Sequence, residues 1–265
     1  MAKKLGLALG SGGARGLVHL GVLKVLEREG IVPDYIAGAS IGSCVGAMYA
    51  SCLSVEEIEK RIFNSKWEAF KSFMDLTLRG GLVKGEKLGE LLRVWIGVDD
   101  FADLQLPFVA VAADLLSGDE VDISEGDLIK AVRGSMAIPS LFKPVEWEGN
   151  LLVDGGVLNP VPDNVVKKMG AEVILAVNLD YRKGEDQNME GYKWGVNILK
   201  RSFDIARHHL AHHGLKDADI VLNPSFKEPD WIGIRAYFKE EKVKEYIKIG
   251  EDLMEEKIDE LKGLL

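Results

Sequence analysis

Leu5-Gly-Leu-Ala-Leu9 and the adjoining Gly10-Ser-Gly-Gly-Ala-Arg-Gly16 decide the fold of this chain. A short apolar run enters a glycine-rich turn, and a helical pattern begins inside the turn at about Arg15. Such a junction points several main-chain N–H groups and the positive end of a helix dipole at one spot. The stretch therefore predicts the first strand–helix unit of an α/β domain, with a site for negative charge at its turn.

The pattern recurs about twenty-five residues later, this time with a hydroxyl group in the turn. The strand-like run Tyr35–Ala39 leads into Gly38-Ala-Ser-Ile-Gly42, and a helical segment rich in small residues follows to about Cys52. A strand–Ser–helix elbow exposes a serine nucleophile, and glycines on both sides avoid Cβ clashes in the tight turn. We predict Ser40 as a nucleophile; the alternative is a serine that only caps the helix.

The first turn has two interpretations. As part of an acyl-transfer enzyme it would supply an oxyanion hole from the main-chain N–H groups of Gly12 and Gly13. As part of a dinucleotide-binding protein it would need Gly-x-Gly-x-x-Gly and an acidic residue about twenty positions further on. Arg15 stands where that motif requires its third glycine, and Asp34 precedes its strand instead of ending it. The oxyanion interpretation is favoured.

Strand-like runs then alternate with helical ones along the chain, at Phe108–Ala112, Glu120–Ile123, Leu151–Asp154, Val173–Asn178 and Ile220–Asn223. This alternation predicts an α/β fold, a three-layer sandwich with a mainly parallel central sheet covered by helices. We expect residues 1–265 to form a single domain with a helical insert at about 55–104 and a C-terminal helix at about 241–265.

The insert has an apolar stripe at helical spacing. It can be the inner face of a fixed helix, or the wall of an acyl-binding site on a lid hinged at Gly80-Gly81 and Gly85. The stripe consists of Trp67, Phe70, Phe73 and Met74.

Composition narrows the class of protein. The 265 residues are 47% hydrophobic and 28% charged, as in an ordinary globular protein, and the net charge of −9 argues against nucleic acid as a partner. The first four residues run straight into the first strand, leaving no room for a signal peptide, and no apolar run reaches the ~18 residues of a membrane span. We expect a cytoplasmic protein.

A serine nucleophile needs a base, and the histidines are poor candidates. A triad histidine normally lies on a loop, whereas His19 lies in the first helix and the other four fall within one helical stretch. The spacing of those four would allow a metal site, but no third ligand is apparent. They are His208, His209, His212 and His213.

Asp154 is the better candidate. The segment Pro144–Gly156 has the pattern of a hairpin that ends in this aspartate, followed by Gly155-Gly156, where another loop can approach closely. A carboxylate bonded to a serine hydroxyl can accept its proton. Taken alone, Asp-Gly-Gly is most often only a turn.

Four blocks in this order resemble the patatin-like phospholipases, over a stretch from Leu5 to about Asn223. They are Gly10–Gly16, Gly38–Gly42, Gly134–Pro144 and Asp154–Pro160. The resemblance implies a Ser–Asp dyad without histidine, Ser40 with Asp154, and an oxyanion hole at Gly12 and Gly13 beside Arg15. Ser11 stands where many members have a glycine. Within the third block, the stretch from Ala137 to Pro144 has no obvious chemical group, and we interpret it as a wall of the site.

The sequence therefore predicts a hydrolase of carboxylic esters, lipid acyl esters above all, that needs no cofactor and no metal. Gly38, Gly42, Gly155 and Gly156 are expected to support the site. This interpretation allows, without requiring, peripheral contact with a membrane. The alternatives are a catalytically silent regulatory or adaptor module and a nucleotide-binding α/β protein.

Overall fold

The computed structural model describes residues 3–65, 85–180, 195–226 and 240–265, and its centre is an eight-stranded sheet. Strands β3, β2, β1, β7 and β8 lie side by side in that order and are parallel. β4 and β6 are antiparallel to β3, and β5 is antiparallel to β6. The mainly parallel sheet predicted from the sequence is confirmed. The strands are β1 (Leu5–Leu9), β2 (Tyr35–Ala39), β3 (Phe108–Asp114), β4 (Glu120–Ile123), β5 (Val145–Trp147), β6 (Asn150–Asp154), β7 (Val173–Val177) and β8 (Ile220–Leu222).

Helices surround this sheet. They are α1 (Leu17–Arg28), α2 (Ile41–Cys52), α3 (Val55–Asn64), α4 (Glu86–Ile96), α5 (Leu128–Ser135), α6 (Asp163–Met169), α7 (Gly195–Gly214) and α8 (Glu240–Leu264). The first helix starts later than predicted, because Gly13–Gly16 forms a 3-10 turn before α1 begins. Within the described residues, no helix is both long and apolar enough to cross a membrane.

Alternating side chains along the buried strands divide the interior into two cores. Leu5, Leu7 and Leu9 of β1 pack into the larger core, which includes apolar residues of α1, α2, α4, α5 and α8. Ala8 points the other way, into a smaller core to which α6 contributes Val165 and Val166. Successive side chains of a strand lie on opposite faces of a sheet, so helices cover both faces. The three-layer α/β sandwich is confirmed.

The way β3 is paired explains how distant parts of the chain meet. Residues 110 and 111 of β3 pair with both β2 and β4, and residues 112 and 113 pair with both β4 and β6. Since a strand has two edges and β4 occupies one of them, β2 and β6 share the other. β2 ends at Ala39↔Val111 and β6 ends at Ala112↔Asp154. The end of β6 therefore lies next to the residue that follows β2.

The C-terminal helix α8 packs mainly along α1, with a smaller contact to β8. The two helices approach closely at glycines: a Cβ atom on Gly21 would lie 2.0 Å from the carbonyl oxygen of Ile247. The apolar face of α8, with Val243, Ile247 and Met254, joins the larger core beside α1.

The helical insert is described only in part. α3 and α4 both pack against α2, and Gly85 precedes α4 with a φ of 81°. The apolar stripe, with Trp67, Phe70, Phe73 and Met74, lies outside the described residues, as does Gly80-Gly81. The lid stays a prediction.

Candidate active site

Ser40 sits at a sharp elbow between β2 and α2. Its φ of 54° and ψ of −122° are unusual for a residue with a side chain, and such a conformation costs of the order of 1–3 kcal/mol. Non-glycine residues are held in this way chiefly at functional sites, and the geometry is that of a strand–nucleophile–helix turn. The main chain therefore presents the Ser40 hydroxyl at the carboxyl end of the sheet.

The structure brings Asp154 to this hydroxyl. Ser40 Oγ donates to Asp154 Oδ2 over 2.5 Å, the length of a charge-assisted O–H···O bond, although the residues are 114 positions apart. The other carboxylate oxygen accepts from the main-chain N–H of Gly156 at 2.8 Å. Both side chains are buried, with Ser40 5% and Asp154 4% exposed. Each carboxylate oxygen of Asp154 thus accepts one hydrogen bond, and the two bonds together fix the orientation of the carboxylate toward the Ser40 hydroxyl.

Burial raises the pKa of Asp154 above its ordinary value. The nearby Arg207 guanidinium, the Ser40 hydroxyl and the Gly156 N–H all favour the ionised carboxylate and limit the rise, whereas Asp180 adds to it. A carboxylate that holds its proton more tightly is a stronger base. The environment of Asp154 therefore suits proton transfer.

Ser135 is a residue of the site that the sequence analysis did not identify. Its Oγ accepts from the main-chain N–H of Ser40 at 2.9 Å and donates to the carbonyl oxygen of Val111 at 2.6 Å. The side chain thus ties the elbow to β3, two residues before the stretch that we interpreted as a wall. A serine in the block Gly134–Pro144 was the available signal, but its partners are far apart in sequence.

The glycine turn lies against the elbow and the end of β6. A Cβ atom on Gly42 would lie 2.0 Å from the carbonyl oxygen of Leu9, and one on Gly156 would lie 2.7 Å from Ser11 Oγ. The three loops therefore meet at one end of the sheet with room for glycine only. Gly38 and Gly155 are packed as closely, against the main chain of Gly42 and of Val111 respectively.

The predicted oxyanion donors lie in this turn. Among the described residues, the Gly12 N–H has no hydrogen-bond partner, while the Gly12 carbonyl accepts from the main chain and from Nε of Arg15 at 3.3 and 3.2 Å. Gly13 has a φ of 58°, in the left-handed region that favours glycine. Arg15 is buried and braces the turn from within.

The histidines lie elsewhere. In the described part of the chain, no histidine hydrogen-bonds to Ser40 or Asp154; His208 contacts the main-chain carbonyl of Asp180 instead, at 2.9 Å. His209, His212 and His213 are exposed on α7. No group of three or more potential metal ligands is found in the described ranges.

The dinucleotide interpretation lacks its acidic residue at this site. Asp34 accepts from the main-chain N–H of Leu5 at 2.8 Å, at the start of β1, whereas the glycine turn follows the end of that strand. At ~3.3 Å per residue, the strand separates the two by more than 10 Å.

Residues 7–165, more than half of the chain, match the family model for patatin-like phospholipases. The chain belongs to this family. All the predicted site residues lie in the matched range.

Relatives in the family are larger proteins. The chain is 35% identical over 178 residues to an uncharacterized NTE family protein of Mycobacterium tuberculosis, covering 67% of this chain and 49% of that protein. It is 31% identical over 193 residues to human patatin-like phospholipase domain-containing protein 6, covering 71% and 14% respectively. The chain therefore spans about half the length of the mycobacterial relative and a small part of the human relative.

A solved structure supports the fold. The crystal structure of VipD from Legionella pneumophila superposes with a TM-score of 0.50 at 14% identity, covering 97% of this chain and 67% of VipD. At this level of identity the likeness concerns the fold alone.

Buried His19 of α1 should make the free energy of unfolding depend on pH. Its ring is fully buried, Nε2 donates to the carbonyl oxygen of Gly10 at 2.8 Å, and Nδ1 has no partner among the described residues. Burial lowers the pKa of His19 to about 4, while an unfolded histidine titrates near ~6.5. Between these values the unfolded chain binds a proton that the folded protein does not, so the free energy of unfolding falls as the pH falls, by about 1.4 kcal/mol per unit.

We expect His19→Gln to lose this part of the slope in urea unfolding measured between pH 4.5 and 7.5. Exposed His213 provides the matched control, since His213→Gln should keep the wild-type slope. Identical slopes for His19→Gln and the wild type would contradict the assignment.

Proposed function

We propose that the protein is a serine hydrolase that cleaves carboxylic esters with a Ser40–Asp154 dyad. The observation that supports this most strongly is the hydrogen bond from Ser40 Oγ to Asp154 Oδ2, formed at a positive-φ elbow. A hydroxyl bonded to a buried carboxylate of raised pKa can pass its proton to that carboxylate as it attacks.

In the proposed reaction, Ser40 Oγ attacks the carbonyl carbon of the ester and its proton moves to Asp154 Oδ2. The resulting oxyanion accepts hydrogen bonds from the main chain of Gly12 and Gly13. Collapse of the tetrahedral intermediate breaks the bond to the alcohol, which leaves with the proton from Asp154. Water then attacks the acyl-enzyme, Asp154 takes the proton of that water, and the returning proton regenerates the Ser40 hydroxyl as the carboxylic acid leaves.

The turn is suited to the oxyanion for reasons of pre-organisation. Its backbone is braced by Arg15 and by hydrogen bonds from Gly10 N to the Val177 carbonyl and from Ser11 N to the Pro160 carbonyl, at 3.0 and 2.8 Å. Donors that are already oriented need no reorganisation as charge develops, and removing one such donor typically costs ~10²–10³ in rate.

Lipid acyl esters are the proposed substrate class. This rests on membership of the patatin-like phospholipase family and on the name of the human relative. Apolar substrates of this kind are held at a membrane surface or in a micelle, so we also propose peripheral contact with a lipid surface during turnover.

A fluorophosphonate probe tests the proposed function. We expect one covalent adduct, on Ser40, identified by mass spectrometry of the labelled peptide, and turnover of p-nitrophenyl esters whose rates across increasing acyl lengths reveal the preferred chain. A folded protein that neither takes up the probe nor hydrolyses any ester would be the catalytically silent form.

A further inference from the structure

Asp180, just after β7, joins the glycine turn to α7. Its carboxylate accepts from Ser11 Oγ at 3.1 Å and from Arg15 at 3.3 Å, both on the turn. It also accepts from Arg207 of α7 through Nε and Nη2, at distances between 2.6 and 3.1 Å. One carboxylate thus links residues that are 27 to 169 positions away in the sequence.

The ion pair formed by Asp180 and Arg207 is almost completely excluded from water. The side chains of Asp180 and Arg207 are each 4% exposed, and Ser11 is fully buried. Taking a charged group out of water is costly unless it is paired, and removing one partner of a buried pair is strongly destabilising. A hydrophobic pair would often be as stable at such a place, so two buried charges beside a reaction centre suggest a role other than stability.

Two routes connect this pair to the proposed dyad. Ser11 lies against Gly156, whose N–H holds the second oxygen of Asp154, and Arg15 holds the carbonyl of Gly12. The second route is electrostatic: Arg207 favours the ionised form of Asp154, and Asp180 opposes it. Arg15, Asp204 and His208 are the neighbouring ionisable groups of the pair.

We propose that Asp180 and Arg207 are positioning residues for the Ser40–Asp154 dyad. Asp180 orients the glycine turn through Ser11 and Arg15, and Arg207 holds the Asp180 carboxylate and supplies positive charge that favours the ionised form of the base. The inference rests on the proposed function. It assigns to α7 a part in the reaction through an arginine and not through its histidines.

The test is the pH dependence of the rate of fluorophosphonate labelling at Ser40, whose acid limb reports ionisation of the base. Arg207→Gln should move the acid limb to higher pH by roughly 0.5–1 unit, and Asp180→Asn should move it to lower pH by a similar amount. Arg207→Lys keeps the charge and should stay near the wild type. Arg93→Gln, which breaks an exposed ion pair with Asp99, removes the same charge at a distant surface and should leave the limb unchanged.

The rate of labelling on the high-pH plateau tests the second part of the proposal, that Asp180 orients the glycine turn. Asp180→Asn should lower it about tenfold or more, because an amide offers one acceptor oxygen to the three donor side chains that the carboxylate serves. The double variant Arg207→Gln/Asp180→Asn removes both members of this ion pair, so neither charge is left without the other, and it covers the case in which a single variant does not fold. Its acid limb should return toward that of the wild type while its plateau stays low.

An unshifted acid limb in folded Arg207→Gln overturns the proposal, as does a double variant with the wild-type plateau rate. In both cases Ser40 is still labelled in the wild type, so the dyad stands. A wild-type protein that is not labelled at Ser40 contradicts the dyad itself, and this inference with it.

Discussion

Ser40→Ala is expected to reduce ester hydrolysis by at least about a thousandfold while leaving the protein folded. The substitution removes the attacking oxygen and one hydrogen bond, the one to Asp154 Oδ2, but it leaves the surrounding packing in place. Steady-state turnover of a short p-nitrophenyl ester and a urea unfolding curve measure the two effects. Retention of more than a few per cent of wild-type turnover by the pure variant would rule out Ser40 as the nucleophile.

Ser40→Gly is the matched control for this substitution. Both variants lack the hydroxyl and should be equally inactive, but glycine adopts a φ of 54° without a Cβ penalty. We therefore expect Ser40→Gly to be more stable than Ser40→Ala, by about 1 kcal/mol. Equal stabilities would mean that the elbow stores no appreciable strain.

Asp154→Asn is expected to be as damaging to hydrolysis as Ser40→Ala. The amide oxygen can still accept a hydrogen bond from Ser40, but it cannot take up the proton. Residues that act as one unit give similar losses that do not add, so the double variant with Ser40→Ala should be no worse than either single variant. A rate of more than about one tenth of the wild type would exclude Asp154 as the base.

The same variant should gain stability relative to the wild type as the pH rises. Burial raises the pKa of Asp154 in the folded protein above its unfolded value, so its contribution to stability is present at low pH and is lost as the pH rises through the folded pKa. Asparagine cannot ionise and avoids that loss. Urea unfolding at pH 5 and pH 8 should show that the difference in the free energy of unfolding, variant minus wild type, increases with pH.

A triple variant provides the control for a histidine base. His209, His212 and His213 are exposed on α7, and their replacement by glutamine should leave turnover within about twofold of the wild type. His208 is left unchanged because it contacts the main chain of Asp180. An inactive triple variant with a normal unfolding curve would revive the triad alternative.

Much of the fold is a property of short stretches of sequence. The runs Leu5–Leu9 and Tyr35–Ala39 are apolar along their whole length, so they predict strands buried on both faces, and the glycine turns after them predict where helices begin. The α/β class, the mainly parallel sheet and the family resemblance could be predicted in this way. Helix starts were less accurate, because the 3-10 turn at Gly13–Gly16 depends on the φ of Gly13.

The residues of the candidate site also differ in whether the sequence alone could identify them. Ser40, Asp154 and the glycine turn stand in motifs whose local geometry follows from residue type, and the structure brings them together. Ser135, Asp180 and Arg207 have no such local signal. A serine at a helix end or an arginine in a helix is an ordinary surface residue until its partner is known.

The sequence by itself thus determined the strand–turn–helix units, the class of the fold and the residue types of a Ser–Asp pair. Only the tertiary structure decided that β6 follows β2 along one edge of β3, that Ser135 holds the main chain of Ser40, and that Asp180 and Arg207 are buried beside the pair. The physical reason is the range of the interactions. Turns and helix starts depend on φ and ψ preferences of neighbouring residues, whereas the pairing of strand edges and the burial of charges depend on groups brought together from distant parts of the chain.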